Sequence, residues 1–121
     1  MSRGLLIVDH GSRRPEAHGH LEWIAGQVGA RRPDLRVYVA HLELVEPSIE
    51  AAVERCAADG VNELIVHPLF LAPGRHLQED LPQRIARAAE RFPGLNARIA
   101  PWLGSRPGIA DLILETLPPT D

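Results

Sequence analysis

Aromatic residues are scarce, at 4% of the 121 residues. A core must therefore be built from Ala, Val, Leu and Ile. The apolar fraction of 45% is enough for that. Cysteine is nearly absent. With Cys56 alone no intrachain disulfide can form, and a reducing compartment fits. A large excess of either charge is also missing. The net charge of −3 argues against nonspecific nucleic-acid binding, which depends on accumulated Lys and Arg. The apolar run in MSRGLLIVDHGS is too short for a signal-peptide core or a membrane span. These absences lead to the expectation of a soluble cytoplasmic protein with no nucleic-acid and no membrane partner. The length predicts one domain, residues 1–121. Pro118, Pro119 and the last two residues read as a frayed tail.

What is present repeats in type, though not in sequence. Gly4 to Asp9, GLLIVD, is a continuous apolar run suited to a strand buried on both faces. A helical stretch follows from about Pro15 to Ala30, with Leu21, Ile24, Ala25 and Val28 on one side. The second strand is about Arg36 to Leu42. Its helix spans about Ser48 to Asp59, with Ser48 as N-cap and Gly60 as the stop. Ile49, Ala52, Val53 and Cys56 form its apolar stripe, so Cys56 reads as core rather than as a nucleophile. The third strand is about Glu63 to Phe70, with Pro68 ending its ladder because proline lacks the donor. A helix after His76 to about Phe92, a strand at Ala97 to Ala100 and a helix from Pro107 to Leu117 complete the chain. Strand–helix alternation with short connections predicts an α/β three-layer sandwich, a flavodoxin-like lobe with a four-stranded parallel sheet and helices on both faces.

In an open parallel sheet, ligands bind beyond the carboxyl ends of the strands. Three loops meet there. The first is His10-Gly11-Ser12-Arg13-Arg14, the second carries Glu43, Glu46 and Pro47, and the third runs from Leu71 to His76. Two imidazoles and a carboxylate suit a divalent transition metal such as Fe²⁺, Co²⁺ or Ni²⁺, and also proton removal near neutral pH. No further thiolate or histidine lies close enough in sequence to close a structural site, so an open site that handles metal transiently fits better. Arg13, Arg14 and Arg75 could pair with carboxylates. His18 and His20 read as surface residues of the first helix. His41 and His67 read as partly buried strand residues.

DHGSR (Asp9 to Arg13), HLELVEPSI (His41 to Ile49) and PLFLAPGRHLQEDLP (Pro68 to Pro82), in this order, resemble the small class II tetrapyrrole chelatases of the CbiX/SirB type. PWLG, Pro101 to Gly104, looks like the family's fourth-strand signature. The resemblance runs from about Leu5 to Leu114. It implies a chelatase-like fold and ATP-independent insertion of Co²⁺, Fe²⁺ or Ni²⁺ into sirohydrochlorin, in sirohaem or cobalamin biosynthesis. The metal is a substrate, and no organic cofactor is implied. His10 matches a histidine that binds metal and accepts protons, and His76 matches a second metal histidine. Glu43 matches an acidic residue of metal handling or catalysis. Glu46 and the loop Leu71, Ala72, Pro73, Gly74, Arg75 and His76 match positions that contact the macrocycle. Short members resemble one lobe of the longer chelatases, which implies a homodimer.

The chain departs from that pattern at two positions. Asp9 stands where the family usually has glycine, and His41 where it often has phenylalanine. Asp9 is expected to raise the pKa of His10 or to add an outer metal contact. A non-catalytic carrier of metal or tetrapyrrole on the same fold is the alternative. A phosphoryl hydrolase with His10 as nucleophile is disfavoured, because HGSRRPE is poor in the glycines of a phosphate nest. A receiver-type signalling domain is disfavoured, because this chain lacks the matching lysine after a late strand.

Overall fold

The computed structural model describes residues 2–120, so Asp121, the end of the expected tail, lies outside the described residues. The order is β1 (Arg3–Asp9), α1 (Pro15–Arg31), β2 (Arg36–His41), α2 (Ile49–Ala58), β3 (Glu63–Pro68), α3 (Arg75–Ala89), β4 (Asn96–Ile99), a 3-10 turn (Leu103–Ser105) and α4 (Gly108–Glu115). All strand pairs are parallel, in the order β2-β1-β3-β4. β1 is central and pairs on both sides, which explains its unbroken apolar run. Leu6, Ile7 and Val8 are all buried there.

The strand order fixes the layers. β1 to β2 steps one way across the sheet, while β2 to β3 and β3 to β4 step the other way. Right-handed crossovers then put α1 on one face and α2 and α3 on the opposite face. The main core lies under α2 and α3. It joins Leu6, Val8, Leu64 and Val66 of the sheet to Ile49, Val53, Cys56, Leu81 and Ile85. Each fully buried Leu, Ile or Val there contributes roughly 1.5–3 kcal/mol. Cys56 is core, as its spacing predicts, and burial pushes its thiol up to about 12. It holds no thiolate at neutral pH. The other face is thinly covered. α1 buries only Leu21, and α4 rests chiefly on the 3-10 turn with no buried residue.

Local signals set the boundaries. Ser48 caps α2 by accepting a 3.1 Å bond from the Ala51 N–H, and Gly60 stops it at φ +86°. β3 ends at Pro68 rather than Phe70. α3 starts at Arg75, because the Gln78 N–H closes the first turn on the Gly74 carbonyl at 3.1 Å. His76 therefore stands in the first turn of a helix, not in the loop. α3 ends at Ala89 rather than Phe92, and α4 is shorter at both ends than its predicted span. The 3-10 turn, Leu103–Ser105, has no counterpart among the elements expected from the sequence.

Candidate functional site

The strand order reverses between β1 and β3, which opens a crevice at their carboxyl ends. His10 follows β1 directly, and its ring packs on Phe70 at 4.7 Å between centroids. The loop after β2 is tied to it through the Glu43 N–H, which donates to the His10 carbonyl at 3.2 Å. Next to His10, Gly11 takes φ +97°, and a Cβ there would sit 2.0 Å from the Glu43 carbonyl oxygen. The two loops thus touch through backbone at a position only glycine fills. Leu44 beside Glu43 also holds a left-handed conformation, φ 75°, while exposed. Such strain in a branched residue marks a loop constrained by its surroundings. Sequence gave no sign of it.

His10, Glu43 and His76 line one cavity of about 370 Å³, with Leu42, Leu77, Asp80, Leu81, Arg84 and Arg87. His76 is 90% exposed, and its Nε2 lies 2.7 Å from Asp80 Oδ2 one helical turn on. Among the described residues, no three His, Cys, Asp or Glu side chains are gathered closely enough to hold one ion together. The three groups share a cavity without converging on a point. An apolar cavity of about 330 Å³ lies on the other side of Leu77 and Leu81, walled by Phe70, Pro73, Trp102 and neighbours.

The remaining predicted site residues scatter. Glu46 lines an adjoining hollow, which shares Leu42 and Glu43 with the histidine cavity, and its carboxylate accepts from the Ser48 N–H at 3.1 Å. Leu71, Ala72, Gly74 and Arg75 are exposed around the rim, and Pro73 reaches the apolar cavity. Arg13 and Arg14 do not reach the histidine cavity, because they lie in a hollow at the start of α1. Arg75 points away, 93% exposed and 3.9 Å from Glu79. The cations that do line the cavity are Arg84 and Arg87 of α3. The signal was available in the sequence: His76, Asp80, Arg84 and Arg87 follow steps of four, four and three, one stripe of a helix.

The Asp9 carboxylate turns to His41, not His10. His41 is 1% exposed, and its Nδ1 lies 2.6 Å from Asp9 Oδ1. Its Nε2 is 2.8 Å from His18 Nδ1, and His18 Nε2 is 3.0 Å from Glu22 Oε1. The two departures from the family pattern are thus partners of one another, and His18 is a linker rather than a plain surface residue. Asp9, His41, His18 and Glu22 thus form one hydrogen-bonded chain from the end of β1 to the surface of α1. Replacing His41 by Phe strands Asp9 and is expected to destabilise by roughly 2–4 kcal/mol. Adding Asp9→Gly restores part of the loss. Urea unfolding of the two single variants and the double variant reads the coupling, expected at about 1–3 kcal/mol. Additive losses would show that the pair contributes nothing as a pair.

The sequence model of the CbiX family matches residues 4–119. The sirohydrochlorin ferrochelatase of Arabidopsis thaliana chloroplasts is 39% identical over 114 residues, 94% of this chain and 51% of that protein. The sirohydrochlorin chelatase SirB from Bacillus subtilis subspecies spizizenii, solved in complex with cobalt, superimposes with a TM-score of 0.83 at 30% identity. That match spans 95% of this chain and 49% of SirB. The CbiX protein from Marinobacter aquaeolei VT8 superimposes at 0.81 with 31% identity, over 93% of this chain and 92% of its own. The chain spans about half the length of the plant and Bacillus proteins, and nearly all of the Marinobacter one. With the family model matched over nearly its whole length, this chain belongs to the CbiX family.

Proposed function

We propose that this chain is a sirohydrochlorin chelatase. It exchanges the two inner N–H protons of the macrocycle for Co²⁺ or Fe²⁺, with Ni²⁺ a third candidate, in sirohaem or cobalamin biosynthesis. The observation that carries the reading is the shared cavity of His10, Glu43 and His76, brought from three separate strand ends. His10 and His76 supply neutral nitrogen ligands to the incoming ion. His10, with Glu43, takes the pyrrole protons. The ligands must release the ion to the ring, so a set that is spread around a cavity serves better than a closed cage. The neighbouring apolar cavity supports a flat ring with an apolar face. Glu46 and the rim Leu71 to His76 contact its edge. No organic cofactor takes part.

Residues 1–121 act as one lobe, and a second copy completes the cleft. The exposed Leu112, Ile113, Leu114 and Leu117 of α4 and the turn after it support such a homodimer. The lone buried Cys56 supports a reducing compartment, the cytoplasm. Among the described residues no helix is long and apolar enough to cross a membrane.

The test is an anaerobic absorbance assay with sirohydrochlorin and Co²⁺ or Fe²⁺, with sedimentation of the same sample. The native protein is expected to accelerate insertion over the uncatalysed rate and to sediment as two chains. Tight ring binding without acceleration would replace this reading with the carrier. No binding would remove the substrate from consideration.

A further inference from the structure

We propose that Arg87 and Arg91, set out by a locked Arg84, form the edge that binds the carboxylates of the substrate. The inference rests on the macrocycle reading above, since the ring of sirohydrochlorin is bordered by carboxylates.

Arg84 and Arg87 line the cavity of His10, Glu43 and His76. The same two arginines continue into an adjoining cavity of about 330 Å³, which they share with Glu50, Ala88 and Arg91. A cationic strip therefore leads directly out of the site where the ring nitrogens must lie. Along α3 and the turn after it, Arg84 and Arg91 lie seven positions apart, roughly 10 Å of helical rise. A planar substrate seated over the histidines would meet this strip with one side of its rim.

The three arginines are not equivalent. Arg84 donates from Nε and Nη2 to the two oxygens of Glu50, both at 2.8 Å, and from Nη1 to the Leu42 carbonyl at 2.8 Å. It is fixed between α2 and the loop that carries Glu43, and its charge is balanced. Arg84 in turn holds the Glu50 carboxyl below the usual carboxylate range. Arg84 is thus a positioning residue. Arg87 is exposed, and neither Arg87 nor Arg91 has an ion-pair partner among those found between described residues. The Arg91 guanidinium stands 5.3 Å from the centroid of the Phe92 ring, which restrains it without consuming its charge. Two open guanidinium forks beside a cavity, on a chain of net charge −3, are suited to bidentate pairing with carboxylates.

The experiment measures sirohydrochlorin binding by spectral titration and steady-state insertion, for the full chain and for Arg87→Ala, Arg91→Ala, the double variant and Arg87→Lys. Arg31→Ala, which removes an exposed charge at the end of α1, is the control. Each alanine is expected to raise Kd and KM about tenfold with kcat nearly unchanged, as for loss of a charge-assisted bond. Added salt should weaken native binding more than binding by the double variant. Arg87→Lys should recover part of the affinity as a point charge, and Arg31→Ala should match the native chain. Native Kd and KM in the double variant, while the native chain inserts metal, would overturn the proposal and leave the chelatase reading intact. A fall in kcat with KM unchanged would also overturn it. If the native chain neither binds nor metallates the ring, the chelatase reading fails, and this proposal fails with it.

Discussion

If the chain is a chelatase, His10→Ala is expected to lower the rate of metal insertion by at least about a hundredfold, the lower end of what a positioned proton acceptor contributes. Its melting temperature stays within a few degrees of the native value. Both halves follow from where the residue sits. His10 is exposed at the end of the central strand, outside the buried set, and its ring only rests on Phe70. Removing such a side chain changes stability by roughly 0.5 kcal/mol. The chemical loss is larger, because alanine offers neither a nitrogen ligand nor a proton acceptor. Single-turnover insertion and a thermal melt, run on one preparation, separate the two effects. His76→Ala, at a position 90% exposed, should show the same separation. A His10→Ala rate within threefold of native would remove that histidine from the mechanism.

Gly11→Ala is expected to damage both fold and activity. The substitution forces a side chain into φ +97°, which costs roughly 1–2 kcal/mol for an L residue. Its Cβ would also sit 2.0 Å from the Glu43 carbonyl oxygen, a backbone atom that cannot rotate away. One of the two strand-end loops has to move, and with it either His10 or Glu43. The combined loss exceeds about 2 kcal/mol, near 10 °C in melting temperature for a chain of this size. Insertion falls at least tenfold even at temperatures where the variant stays folded, because a shift of about 1 Å in placed groups is enough for a large rate loss. Circular dichroism melts and insertion assays at 15 °C would read the two effects. A variant with native stability would show that the loop contact yields at no cost. At Gly60, φ +86° with open space around it, alanine meets only the conformational penalty, so the difference between the two variants isolates the contact.

Much of the architecture was legible in the chain. The run GLLIVD suits a strand between two layers, because a central parallel strand is covered on both faces. Ser48 and Gly60 mark the ends of α2 by chemistry local to those residues. The histidines and Glu43 could be assigned to one edge because parallel sheets direct all strand ends the same way. The misreadings have a common cause. Arg13, Arg14 and Arg75 were near the site in sequence, but a loop's proximity says nothing about where long side chains settle. Asp9 lies next to His10 in sequence, but its side chain pairs with His41 at the end of the neighbouring strand.

The sequence by itself determined the alternation of strands and helices, the parallel sheet, the buried thiol and the edge where His10, Glu43 and His76 collect. These depend on periodicity, on caps and on one rule of topology, all of them local or general. Only the tertiary structure decided which side chains meet there. His41 finds His18 across 23 positions because α1 lies over β2, and Arg84 finds Glu50 across 34 because α3 packs beside α2. Contacts of that span depend on how helices rotate as they dock onto a shared core. That rotation is set by the packing of the whole interior, not by any segment of the chain.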